Sequence, residues 1–90
     1  MGGSSHPRIA IDFVVAEGAL VRMIGLVERR GFIVHGIGMT KHDEGETGQM
    51  VVELEARDPG RHLDVLSLQL GRLHGVTNVS TFTPAAEAAS

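Results

Sequence analysis

Five histidines, His6, His35, His42, His62 and His74, are the residues of this 90-residue chain best suited to bind a metal or move a proton. A helical metal site would set two of them at i and i+4, and no pair has that spacing. His42 stands in a predicted loop beside Asp43 and Glu44. The scatter of the five predicts solvated surface histidines and no metal site. Glu53 and Glu55 alternate along an extended segment, so they read as the wet face of a strand and not as a pair for acid–base work. Ser67 lies among leucines without an adjacent base, which leaves it no nucleophilic role. The chain has no cysteine, and this excludes disulfides, thiolate metal sites and cysteine nucleophiles. Arg22, Arg29 and Arg30 surround Glu28 as helix-face cations with snorkelled stems. No catalytic constellation emerges.

A binding site is more legible than a catalytic one. Residues 15–20 form a strand-to-helix turn, Val15-Ala16-Glu17-Gly18-Ala19-Leu20. The first amides of a helix lack intrahelical acceptors and the helix dipole is positive there. Gly18 would let an anion such as a carboxylate approach closely. The plain alternative is a tight turn in which Gly18 only helps the chain change direction.

The elements that must position this turn follow from hydrophobic period. Residues 8–15 alternate, with Ile9, Ile11, Phe13 and Val15 on one face, and predict a strand. Over 18–30 the period becomes helical, with Leu20, Met23, Ile24 and Val27 as the buried stripe and Gly31 as the stop. Residues 32–40 return to extended character. Residues 43–48 read as a hairpin loop and 49–57 as an alternating strand with Met50, Val52, Leu54 and Ala56 inward. Asp58-Pro59 predicts the N-cap and first position of a second helix, with Leu63, Leu66, Leu70 and Leu73 as its stripe and Gly75 as its end. Residues 76–82 make a last β-branched strand.

The resulting βαββαβ order predicts an α+β, ferredoxin-like fold. Its four-stranded antiparallel sheet has order 2-3-1-4, with both helices on one face. The domain spans 8–83, with flexible ends at 1–7 and 84–90. The strand at 32–40 becomes an edge, carrying no charge, no proline and two glycines on one face. Isolated edges are usually protected. Gly36 and Gly38 are open to a bulge or bend, or to close approach by a ligand or a second backbone. Pairing with a second copy of the chain through Phe32, Val34, Gly36 and Gly38 is the favoured expectation.

Composition narrows the partners. A lone domain of this size buries only about 63% of its extended-chain surface, so covering more apolar area in an assembly would help. Net charge is −3, and there is no Trp or Tyr and only three Phe. That combination argues against nucleic acid. No apolar run approaches the length of a membrane span, and residues 1–7 lack the apolar core of a secretion signal. A soluble, cytoplasmic domain is expected.

The run Glu17-Gly18-Ala19-Leu20-Val21-Arg22-Met23-Ile24-Gly25-Leu26, followed by Arg30-Gly31-Phe32, resembles the ACT domain of acetolactate (acetohydroxyacid) synthase small subunits in their short, single-domain form. That family carries G-A-L-x-R-[VM]-x-x-L and then R-G-[FY]. The likeness extends through Val52-Glu53-Leu54 and residues 66–79, covering 8–82. It implies a non-catalytic subunit that activates a large subunit in branched-chain amino-acid synthesis. Thiamine diphosphate, Mg²⁺ and FAD would all belong to that large subunit, and this chain would hold no cofactor. It also implies a homodimer. A branched-chain amino acid would lie between Glu17, Gly18, Ala19 and Leu20 of one chain and Ile33, His35, Gly36 and Ile37 of its neighbour.

Two positions depart from the family pattern. Valine-responsive members carry Asn where this chain has Val15 and Ile33, so weak or absent valine feedback is expected. Other families of the same fold fit poorly. An acylphosphatase needs a phosphate loop where Glu17 stands, a heavy-metal carrier needs Cys-x-x-Cys, and an RNA-recognition domain needs strand aromatics. A generic amino-acid-sensing ACT module for another enzyme remains the alternative.

Overall fold

The computed structural model describes residues 6–83, so 1–5 and 84–90 of the expected flexible ends lie outside the described residues. The chain forms β1 (Arg8–Val14), α1 (Ala19–Arg29), β2 (Phe32–His42), a 3-10 turn (Asp43–Gly45), β3 (Thr47–Ala56), α2 (Leu63–Gly71) and β4 (Val76–Phe82). The sheet order is β2-β3-β1-β4, and every pairing is antiparallel. This is the βαββαβ ferredoxin-like arrangement that the periodicity predicts. Pro7 already joins it, because its carbonyl accepts the Leu54 amide at 3.0 Å.

Alternation along the strands builds the core. Ile9, Ile11 and Phe13 of β1 and Met50, Val52 and Leu54 of β3 are buried on the helix side. Met23, Leu26 and Val27 of α1 and Leu66 and Leu70 of α2 close over them. α1 packs on β2 and α2 on β4, so each helix covers one half of the sheet. Among the described residues, the other sheet face carries no helix.

Several details differ from the sequence reading, among them the end of α2, which stops at Gly71 and leaves Leu73 beyond the helix. The α1 stripe is rotated: Met23, Leu26 and Val27 are buried, Ile24 is half-buried, and Leu20 is 42% exposed. Six apolar residues between 20 and 27 cover most of the circumference, so period alone does not say which strip meets the sheet. α2 starts at Leu63 with an extended His62 as its cap, not at Asp58-Pro59. Asp58 closes a short turn instead, accepting the Gly60 amide on Oδ1 at 3.0 Å. Asp favours that local bond, and Gly60 resists helix at the position that would follow Pro59. Finally, β2 runs to His42, so the hairpin is tighter than a loop over 43–48. The turn is made by left-handed Glu44 and Gly45.

β2 also contains a bulge. Val34 pairs with Leu54 and Gly36 with Glu53, leaving His35 as the extra residue. An extra residue reverses which face each later side chain takes. Gly36 and Gly38 therefore lie opposite Glu53 and Val51 on the open face, while Ile37 and Met39 pair with buried Val52 and Met50. The two glycines do share a face, but Phe32 and Val34 take the other one.

Candidate functional site

The turn before α1 has the geometry of an anion-accepting helix start. Gly18 is the N-cap and is left-handed, with φ 81°, a conformation that a side chain would resist. No side chain caps the helix and its first turn holds no acid. Ala19 donates its amide to the Ala16 carbonyl at 3.1 Å, and Arg22 donates to Gly18 at 3.0 Å. Glu17, Gly18 and Leu20 are exposed, and Ala19 is half-buried. Val15 donates its amide to the Glu46 carbonyl at 2.9 Å and packs against the core.

Arg22 belongs to this turn, although the sequence reading left it on the helix surface. Its Nη1 lies 3.0 Å from where a Cβ on Gly18 would stand. The 18-to-22 spacing is one helical turn, and that spacing is the signal that could have found it. A guanidinium, a left-handed glycine and the amides of an uncapped first turn together favour a carboxylate.

The second half of the expected effector site lies elsewhere in the same chain. β1 and β2 are both antiparallel to β3 and so run parallel to one another. Val14 is opposite Thr47, while Ile33 is opposite Glu55. Eight residues of β3 separate those levels, roughly 26 Å along the strand. One chain does not bring Glu17–Leu20 and Ile33–Ile37 together.

The edge expected to pair is exposed along its outer side. Ile37 is 52% and Met39 39% exposed. On α1, Leu20, Val21, Ile24, Gly25 and Glu28 line a shallow, mainly apolar depression. Both features lie on the β2 half of the molecule.

A third cluster was not visible in the sequence. His35 Nε2 and Glu55 Oε1 are 2.8 Å apart, and the His35 ring stacks on His6 with centroids 4.0 Å apart. The 29- and 20-residue separations hide this contact. The β2–β3 register, the bulge and the Pro7–Leu54 hydrogen bond bring the three together.

The ACT domain family matches residues 15–79. No curated protein matches the sequence. Among solved structures, the ACT domain of GTP pyrophosphokinase from Chlorobium tepidum is similar, with 16% identity, 84% of this chain and 95% of that chain covered, and a TM-score of 0.69. A formyltetrahydrofolate deformylase from Burkholderia mallei is 14% identical over 89% of this chain and 29% of its own, with a TM-score of 0.67. The C-terminal domain of the MgtC protein from Mycobacterium tuberculosis is 13% identical over 91% and 92%, with a TM-score of 0.59. At these identities the structural likeness speaks for the fold alone. The family match spans most of the chain, with its first residues on the Val15–Gly18 turn and its last on β4, and the chain therefore belongs to the ACT domain family of regulatory modules.

Proposed function

We propose that this chain is the activating, regulatory subunit of an acetolactate synthase and works as a homodimer beside a catalytic large subunit. The observation that carries this reading is the pattern Gly18-Ala19-Leu20-x-Arg22 followed by Arg30-Gly31-Phe32. Its first part begins α1 and its second makes the turn into β2. Thiamine diphosphate, Mg²⁺ and FAD belong to the large subunit, and the reaction takes place there, in the cytoplasm.

The dimer forms by antiparallel pairing of two β2 edges around a two-fold axis near Ile37, the midpoint of the strand. The separation of the two half-sites supports it. With that centre, the partner's Ile33 falls opposite Lys41, the end of β2 that lies level with the start of α1. Each effector site then takes Glu17–Leu20 and Arg22 from one chain and the Ile33–Ile37 stretch from the other. Arg22 and the amides after Gly18 receive the carboxylate of an amino acid. Its ammonium is left to Glu17 and to strand carbonyls, because Val15 and Ile33 offer no amide side chain. Valine feedback is accordingly weak or absent.

The test is reconstitution. Saturating chain added to a matching large subunit should raise the rate of acetohydroxy-acid formation, and an unchanged rate would remove this reading. The second reading, an amino-acid-sensing ACT module for another enzyme, is favoured by the same apolar pair at Val15 and Ile33. It would then lead.

A further inference from the structure

We propose that His6, His35 and Glu55 form a binding site for a divalent first-row cation such as Zn²⁺. The site lies on the open face of the sheet and is independent of the regulatory reading. Two imidazoles and a carboxylate come from three separate segments, with all ligand atoms within 4.8 Å of one another. Each has a structural reason to be there. Pro7 pairs with Leu54 and so lays His6 beside β3. The bulge turns His35 outward next to Gly36, whose position is overlain by the Glu53 carboxylate, 3.6 Å from where a Cβ would stand. Register places Glu55 opposite Ile33 on that same face. Glu53, opposite Gly36, adds a second carboxylate to the surroundings, and its charge favours a cation.

The donor set fits zinc chemistry. Two histidines and one carboxylate with a fourth position left to water is a familiar Zn²⁺ arrangement, and nitrogen and oxygen donors of this kind select against soft, thiolate-seeking ions. Small movements are needed. Zn²⁺ bonds of about 2.0–2.2 Å hold tetrahedral donors about 3.3–3.5 Å apart, whereas His35 and Glu55 stand at 2.8 Å. The carboxylate must draw back by about half an ångström to reach that spacing. The imidazole planes are within 3° of parallel, and one ion cannot lie in both planes. The His6 ring therefore turns out of the stack as it ligates. Both histidines bind the ion through a neutral imidazole nitrogen. The bound ion would tie the segment before β1 and the β2 bulge to β3.

Zn²⁺ titrated calorimetrically into the full chain at neutral pH tests this directly. The expected result is saturation at one ion per chain. His6→Gln, His35→Gln and Glu55→Gln should each weaken binding at least about tenfold, the loss expected when a zinc site's immediate support is removed. Glu55→Gln keeps the side chain's size, so its loss reports the carboxylate and not the fold. His62→Gln, an exposed histidine at the start of α2, should change nothing. The proposal is overturned by no saturable binding, by a smaller loss in any of the three variants, or by an equal loss in His62→Gln.

Discussion

Replacing Ile37 by Asp should separate the proposed homodimer while leaving each subunit folded. The side chain sits at the midpoint of β2, and in the single chain it is already 52% exposed. Half-exposed, it contributes little to the subunit's own core, and an acid there can reach water. In the proposed dimer the two copies of residue 37 would meet near the two-fold axis, with their Cβ atoms about 5 Å apart as cross-strand neighbours. Two carboxylates at that distance repel by about 3 kcal/mol at an effective dielectric constant of about 20. Forfeiting the apolar burial of the isoleucines adds about 1 kcal/mol. A total of about 4 kcal/mol weakens the dimer roughly a thousandfold. Sedimentation equilibrium reads this directly, with circular dichroism to verify the fold. Acidification through the carboxylate range near pH 4 removes the repulsion and should restore part of the association. An unaltered chain that stays monomeric at micromolar concentration, or an Ile37→Asp variant that dimerises as tightly as the parent, would refute β2-to-β2 pairing.

Gly31→Ala should destabilise the subunit by about 1–2 kcal/mol, the cost of a left-handed L-residue. Gly31 has φ 92°, and a Cβ there would also collide with the Arg61 side chain. Urea unfolding should show the loss, and adding Arg61→Ala should relieve only the steric share; full rescue would mean that backbone strain at Gly31 is negligible. Valine should bind the unaltered chain weakly or not at all by calorimetry, and Val15→Asn with Ile33→Asn should tighten it roughly thirtyfold, two amide hydrogen bonds at about 1 kcal/mol each. Tight valine binding to the unaltered chain would show that these two side chains matter less than the backbone donors.

The fold was legible because alternation and helical period are local signals, and each of the six elements carries its own. Boundaries failed where a local hydrogen bond competes with the helix, as Asp58 does by turning onto Gly60. The α1 stripe failed for a different reason. Leu20, Val21 and Ile24 are as apolar as the residues that reach the core, and only the packing of α1 on β2 distinguishes them. The first turn and Gly18 were readable from residue type. The approach of Arg22 to Gly18 needed the helix to be built, and the meeting of His6, His35 and Glu55 needed the sheet register. The His35 bulge has no sequence signature apart from the glycine that follows it.

The order of strands across the sheet fixes the order in which the chain can complete itself. β1, the strand nearest the N-terminus, lies between β3 and β4, with Ile11 opposite Met50 on one side and Val79 on the other. Of the four strands it is the first to be synthesised, yet its neighbours arrive about 40 and 70 residues later. The β2–β3 hairpin, joined by a four-residue connection, closes without waiting for β4. Contacts between distant parts of a chain bear the larger loop-closure cost and form more slowly. Until the last strand leaves the ribosome, β1 can pair with β3 on one side but has no neighbour on the other. A nascent chain stalled before residue 76 would expose the bare edge of β1 where β4 belongs, and that arrested species, rather than the finished domain, is the form most exposed to aggregation.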